Sequence, residues 1–367
     1  MNRMHGIIFA YGKCEQLKTL VEHRVSDSIP YAARYRMIDF MVSNMVNAGV
    51  TDVGIILQEK YQSMLDHMGS GKDWDISRRY GGLRLLPATP KNDPSRAFRG
   101  NMEALTSIES YVRRIRQDYV VLANGSLVCN MPLSDVLQEH IRSGADITCV
   151  CTPHCAIKKK TTYMLDEEHN ITDVINGGIL AGGYEALEVC VLSKKLLLEL
   201  IMECDAHNEY IFKDAVLIGM KDRLKLHAYV FEGYAANIDS VSDYYQRSME
   251  LLDPAVRADL FMKDRPIRTK DRSDASTYYG PESKCTNSLI ADGCIIEGEV
   301  KDSIIFRGVH VEKGAKVIGC ILMQDTIIHT GATLKYAIAD KNVVVNEYRM
   351  LMGHSNYPLA ISKFSVV

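Results

Sequence analysis

The sequence predicts two joined architectures: an α/β domain on a mostly parallel sheet over residues 1–252, and a parallel β-helix over residues 285–367, with a linker at 253–284. Three observations predict this. Apolar runs alternate with amphipathic helical stretches up to Leu252, the pattern of a parallel sheet covered by helices on both faces. From Cys285 onward short aliphatic rungs recur about every 15 to 17 residues, a spacing that signals stacked coils. Between the two, residues 253–284 are polar and hold Pro254, Pro266 and Pro281.

The elements follow in order. Ile7, Ile8 and Phe9 form a short apolar run, and Arg36 to Gly49 reads as a helix with Ile38, Met41, Met45 and Val46 on one stripe. Asp52 to Leu57 reads as a strand, Lys60 to Met68 as a helix, Asn101 to Arg116 as a helix, and Tyr119 to Ala123 as a buried strand. Ser134 is the expected N-cap of a helix that ends at Ser143, with Gly144 as its stop. Ile147 to Cys151, Leu187 to Leu192 and Leu224 to Phe231 are further strands. In the second domain Ser288-Leu289-Ile290, Ser303-Ile304-Ile305, Cys320-Ile321-Leu322 and Ala337-Ile338-Ala339 repeat in register, with Gly, Asp or Asn at the corners. Each rung is too short to bury its own face, so the coils must stack, and covering the open end of the stack makes self-association an expectation.

Composition narrows the function classes. The net charge of −3 gives no reason to expect nucleic acid or an anionic membrane as a partner. No apolar run is long enough for a membrane span, and no signal peptide is expected. The ten cysteines, scattered through strands, suggest reduced thiols and a cytoplasmic setting. Cys149, Cys151, His154 and Cys155 have the residue types of a metal set, but no second cysteine pair at zinc-site spacing accompanies them, and a strand running into a Pro153 turn explains them better.

The loop after the first strand is the most telling segment. A loop that cradles a triphosphate needs glycine wherever backbone N–H groups approach oxygen closely. Here the loop is Ala10-Tyr11-Gly12-Lys13-Cys14-Glu15-Gln16-Leu17, which retains only Gly12. It is followed by Ser26-Asp27-Ser28-Ile29-Pro30 and by an uninterrupted run from Ala32 to Gly49 that contains Tyr35-Arg36, Ile38-Asp39-Phe40 and Ser43-Asn44. These residues resemble the ADP-glucose pyrophosphorylase (glucose-1-phosphate adenylyltransferase) family, whose pattern is G-G-x-G-T-R-L, then K-P-A-V-P, then G-G-K-Y-R-I-I-D-F-x-L-S-N. The run from Asn287 to Cys294 resembles the family's entry into its β-helix. The resemblance implies a Rossmann-like nucleotidyltransferase fold followed by a left-handed β-helix.

It also implies a chemistry, nucleotidyl transfer from ATP to glucose 1-phosphate with release of pyrophosphate, which rests on positioning and on metal ions that offset charge. The family's two metal-binding aspartates align with Ser126 and Asn237, the loop arginine with Gln16, the lysine of K-P-A-V-P with Ser26, and the lysine of E-K-P with Gly177. A sugar-contacting serine aligns with Ala186. Tyr11, Gly12 and Lys13 remain as a residual nucleotide loop. Neutral hydroxyl and amide oxygens bind Mg²⁺ weakly beside water, so the catalytic positions are vacated and neither metal nor cofactor is expected. Lys213-Asp214 matches a family G-K-D motif, and the Trp74-Asp75 pair resembles its W-D loop, with Trp74 as a packing anchor.

The pattern resembles the GlgD-type branch, found beside a catalytic GlgC-type subunit. That implies a regulatory or stabilising partner in a hetero-oligomer serving glycogen synthesis. Two other readings stay open: an active enzyme with an altered Mg²⁺ site using Asp239, and a stand-alone sugar-phosphate sensor. Arg34 and Arg36 are the candidate anion or effector residues for a sugar-phosphate or nucleotide ligand. Arg78, Arg79, Arg84, Arg96, Arg99 and Lys158-Lys159-Lys160 are further basic residues, most simply a solvated face.

Overall fold

The computed structural model describes residues 3–12, 15–91, 93–153, 161–177 and 181–367. Nine strands form the sheet of the first domain: β1 (Met4–Phe9), β2 (Asp52–Leu57), β3 (Gly82–Pro87), β4 (Tyr119–Asn124), β5 (Ile147–Thr152), β6 (Thr161–Leu165), β7 (Ile171–Asn176), β8 (Tyr184–Ser193) and β9 (Leu226–Val230). The order is β7-β6-β8-β4-β1-β2-β3, and β5 pairs with both β8 and β9. β4, β1, β2 and β3 run parallel, so Phe9, Leu57, Pro87 and Asn124 end at one edge. β8 runs antiparallel to β4, β5 and β6. Strands covered on both faces need apolar residues at successive positions, which is why β1 and β2 read as unbroken runs. Ile7 packs into the core on one face of the sheet and Ile8 into the core on the other.

The second domain is a left-handed β-helix made of three five-stranded parallel sheets. Its rungs stack in strict register: Ile296 on Val311, Val311 on Ile328 and Ile328 on Val345, and all four side chains are fully buried. Residues 253–284, expected as a linker, hold the helix Pro254–Leu260 and the strand Tyr278–Tyr279, which pairs with Ile295–Ile296 as the first rung. The stretch between them is strapped to the first domain: Arg268 N–H donates to Ser43 Oγ at 2.9 Å, and Asn130 Nδ2 donates to the carbonyl oxygens of Leu260 and Arg265 at 2.8 and 2.9 Å.

The two domains share a third core, in which Leu17, Leu20, Tyr31, Phe40 and Tyr244 pack with Phe306, Met323 and Ile338. Beside it Arg24 donates to both oxygens of Asp340, each at 2.7 Å, with both side chains buried. Asn47, Trp74 and Asn130 add hydrogen bonds to the 253–284 segment through side chain or carbonyl.

Local expectations differ at several points. The helix expected over Asn101 to Arg116 breaks at Ile108 into Asn101–Ser107 and Glu109–Arg113. Ser134 is not an N-cap: the helix starts at Leu133 after Pro132, and the Ser134 hydroxyl donates to Asp135. Gly144 does end that helix, in the left-handed region at φ 59°. β3, β6 and β7 went unread because they lie at or near the edges of the sheet, where polar residues break the apolar run. Trp74 is fully buried, edge-on to His67.

Candidate functional site

The carboxyl edge of the parallel strands gathers the positions aligned with the site residues of the resemblance. β1 runs into Ala10-Tyr11-Gly12, tied back by Ala10 N–H to the Ile56 carbonyl at 3.0 Å, and Gly125 N–H donates to the Phe9 carbonyl at 3.1 Å. The Tyr11 ring sits edge-on to Phe98 with centroids 5.0 Å apart, and to Phe9 at 6.1 Å. Burial, with Glu188, Glu103 and Asp27 nearby, pushes its hydroxyl further from ionisation. An aromatic side chain thus stands in the loop where a phosphate cradle needs bare backbone. Gly12 is exposed, with open space around its Cα; Lys13 lies outside the described residues. Leu17 and Leu20 anchor the next turn in the interdomain core and leave Gln16 exposed.

The turn Ser26–Ser28 is buried. Ser26 Oγ donates to Asp27 Oδ2 at 3.0 Å, and among the described residues Asp27 Oδ1 has no hydrogen-bond partner. Asp27 is 1 % exposed. It lies against Gly125, where an added Cβ would fall 2.6 Å from Oδ1 and 2.8 Å from Ile38 Cδ1. Removal from water raises this carboxyl to about 6. The sequence reading did not single out Asp27. The available signal was a carboxylate at the second position of Ser26-Asp27-Ser28-Ile29-Pro30, where the K-P-A-V-P pattern has proline.

Ser126 is buried, and its N–H and hydroxyl both donate to Asn124 Oδ1, at 3.1 and 3.0 Å. Asn124 Nδ2 donates in turn to Glu188 Oε2 at 3.1 Å. Asn237 follows the short strand Ala235–Ala236, which pairs antiparallel with Val128–Cys129, Ala236 opposite Val128. That register carries Asn237 to a place opposite Leu127, adjoining Ser126. The register thus brings the backbone of Asn237 alongside the segment that holds Ser126. The two residues offer a hydroxyl committed to a neighbour and a half-buried amide, and this pair does not suit a hard divalent cation, which is held by carboxylates and water. Asp239, two residues on, is exposed. Among the described residues, no group of three or more His, Cys, Asp or Glu stands together in a way that could hold a metal. Cys149 and Cys151 are buried in β5, and His154 and Cys155 lie outside the described residues.

Gly177 turns the chain at φ 74°, a conformation that a lysine there would adopt only under strain. Ala186, Tyr163, Glu188 and Lys213 line a small cavity of about 130 Å³ further along this edge, and Asn176 Nδ2 donates to Asp214 Oδ1 at 3.3 Å. Arg96 and Arg99 are both held by Glu103, whose carboxyl is drawn down to about 2, chiefly by its hydrogen bonds from Arg96.

Arg34 and Arg36 stand at the junction with the β-helix, not on the vacated pocket. Arg34 is exposed, 5.8 Å from the Tyr35 ring centroid. Arg36 is largely buried and donates through Nη1 to the Ser63 carbonyl at 2.9 Å and the Ser28 carbonyl at 3.2 Å. Burial brings its guanidinium down to about 10. Lys341, on the β-helix side, is brought down to about 7 by burial and by the positive charges of Arg36 and Arg24, against the pull of Asp340.

The comparisons agree with this architecture. The family profile described as Nucleotidyl transferase matches residues 5–163, and that described as GlmU-like, C-terminal hexapeptide matches residues 275–356. The chain is 35 % identical over 364 residues to the glycogen biosynthesis protein GlgD of Bacillus subtilis (strain 168), covering 99 % of this chain and 96 % of that protein. It is 37 % identical over 321 residues to the GlgD of Geobacillus stearothermophilus, covering 86 % and 83 %. It is 27 % identical over 357 residues to a glucose-1-phosphate adenylyltransferase of Bacillus thuringiensis (strain Al Hakam), covering 96 % and 95 %.

Proposed function

Because the chain belongs to the glucose-1-phosphate adenylyltransferase family, in its GlgD type, we propose that it is a non-catalytic subunit in glycogen biosynthesis, a regulatory and stabilising partner of a catalytic GlgC-type subunit. The observation that carries this reading is the chemistry around Ser126. The positions aligned with metal carboxylates are a tied hydroxyl and an amide, while a buried carboxylate, Asp27, stands beneath the same loop. The means of neutralising a triphosphate are thus gone from both sources: the aligned cation positions are Gln16, Ser26 and Gly177, and no carboxylate pair remains to hold a metal. Losing one oriented electrostatic contact typically costs about 3 kcal/mol of transition-state stabilisation, and several are lost together. The scaffold that would meet a partner, with its interdomain core and β-helix, is intact.

In this reading no cofactor binds and the chain works in the cytoplasm, where it self-associates and pairs with the catalytic subunit. Arg36 is the favoured anion or effector position over Arg34, because Arg24 beside it and Lys341 from across the domain junction add their positive charges to its own. A sugar phosphate bound there would tie the β-helix to the first domain.

The test is pyrophosphate release from ATP and glucose 1-phosphate with Mg²⁺, measured for this chain alone, for a catalytic homologue from the same source, and for the mixture. The expected result is negligible turnover alone and an altered maximal rate or effector response on mixing. Turnover alone that Asp239→Ala abolishes would favour an active enzyme with a shifted metal site. No effect on mixing and no co-purification would favour a stand-alone sensor.

A further inference from the structure

The sheet has a second end, and it holds a site of a different kind. At the amino ends of β1, β2 and β3, opposite the edge that carries Ser126, a cavity of about 550 Å³ opens between the turn at Tyr80–Gly82 and the loop 114–117. Its inner wall is built from buried or hydrogen-bonded side chains. His5 is buried, with Nε2 3.0 Å from the Tyr111 hydroxyl, and burial lowers its imidazole to about 4. The Tyr111 ring lies over Gly54, where an added Cβ would come within 2.9 Å of it. The carboxylate on this wall, Asp52, is already satisfied: Oδ1 accepts from Gly82 N–H at 2.8 Å and Oδ2 from Gln117 Nε2 at 2.6 Å.

The rim is the opposite. Arg84, Arg114 and Arg116 line the cavity, and none of their guanidinium groups makes a hydrogen bond or ion pair with a described residue. Arg79 lies 5.5 Å from the ring centroid of Tyr80, which is 76 % exposed and also lines the opening. In a chain of net charge −3, this gathers three guanidinium groups around one concave space whose lining holds a single carboxylate, Asp52. Elsewhere Arg113 is tied to Glu109 and Arg223 to Glu203. The volume falls within the range of small-molecule sites, roughly 300–1,000 Å³. Guanidinium forks match phosphate oxygens bidentately, and an exposed tyrosine face offers a flat apolar surface to a ring.

We propose that this cavity is a second ligand site, distinct from the vacated pocket and from the Arg24–Arg36–Lys341 junction, and that it takes a small molecule bearing two or more linked phosphates on a ring-containing body. The phosphates lie on Arg84, Arg114 and Arg116, and the ring lies on Tyr80.

Isothermal titration calorimetry on the full chain tests this with two probes, ADP and inorganic pyrophosphate. Both are expected to bind, ADP more tightly. Arg114→Gln with Arg116→Gln should weaken both by about tenfold or more, as loss of charge-assisted hydrogen bonds does. Tyr80→Ala should weaken ADP and leave pyrophosphate unchanged, and Arg223→Gln should change neither. All of these substitutions are at exposed positions, so the fold is retained, as circular dichroism will check. Absence of binding of both probes at millimolar concentration would overturn the proposal, and so would binding that the double substitution leaves intact.

Discussion

Replacing Asp27 with asparagine should make the protein more stable near neutral pH, and the gain should shrink as the solution is acidified. The folded carboxyl sits at about 6 against an ordinary value of 3.8, because it is buried between Gly125 and the apolar side chains beneath it. A group raised on folding binds its proton more tightly in the native state. Its ionisation therefore costs stability as pH rises from the unfolded value toward and through the folded one, and costs nothing well below the unfolded value. At about 1.36 kcal/mol for each pH unit, the cost is about 1–2 kcal/mol at about pH 5 and about 3 kcal/mol at about pH 7.5. Asparagine has nearly the same shape and does not ionise. Whatever constant packing cost its amide brings cancels when the two pH values are compared. Urea unfolding of both proteins at the two pH values should thus show the difference between variant and wild type growing by about 1 kcal/mol from the lower pH to the higher. A difference that stays flat across this window would mean that the carboxyl is solvated or paired, which would refute the reasoning.

Two further outcomes follow from the same structure. Asp340→Asn leaves the Arg24 guanidinium buried without its counter-charge and should destabilise the chain by about 3–5 kcal/mol in urea unfolding, whereas Arg24→Met combined with Asp340→Leu should recover most of that loss. Ala33 holds φ 63° at a position where the resemblance has glycine; Ala33→Gly relieves a left-handed strain of roughly 1–2 kcal/mol at an entropic cost of about 0.5–1 kcal/mol, for a net gain of up to about 1 kcal/mol in the same measurement.

The β-helix was legible in the sequence because its register is local: Ile304, Ile321 and Ile338 recur at fixed spacing, and each coil repeats the constraint on the last. The parallel strands β1 and β2 were legible for a related reason, since burial on both faces forces an apolar run. Edge strands such as β7, with two of its six residues exposed in succession at Thr172 and Asp173, carry no such mark. The break at Ile108 was hidden because the apolar stripe of Leu105, Ile108 and Val112 continues across it. At the site, alignment brought Ser126 and Asn237 into question, and the pairing of Ala236 with Val128 brings their segments together. The environment of Asp27 was invisible because it is made by Gly125 and Ile38 together, from segments far apart in the chain. Likewise Arg36 has a meaning only beside Lys341, which arrives from the other domain. Charge identity is written in sequence, whereas desolvation and convergence arise only in the fold.

The claim on which the functional reading rests is that the carboxyl edge of this sheet no longer seats a divalent cation beside a nucleotide. Electron paramagnetic resonance of Mn²⁺, standing in for Mg²⁺, in the presence of ATP tests it most directly. The spectrum should be that of the free metal–nucleotide complex, with no protein-bound signal that depends on Ser126 or Asn237. A bound signal that disappears on Asn237→Ala would contradict the account.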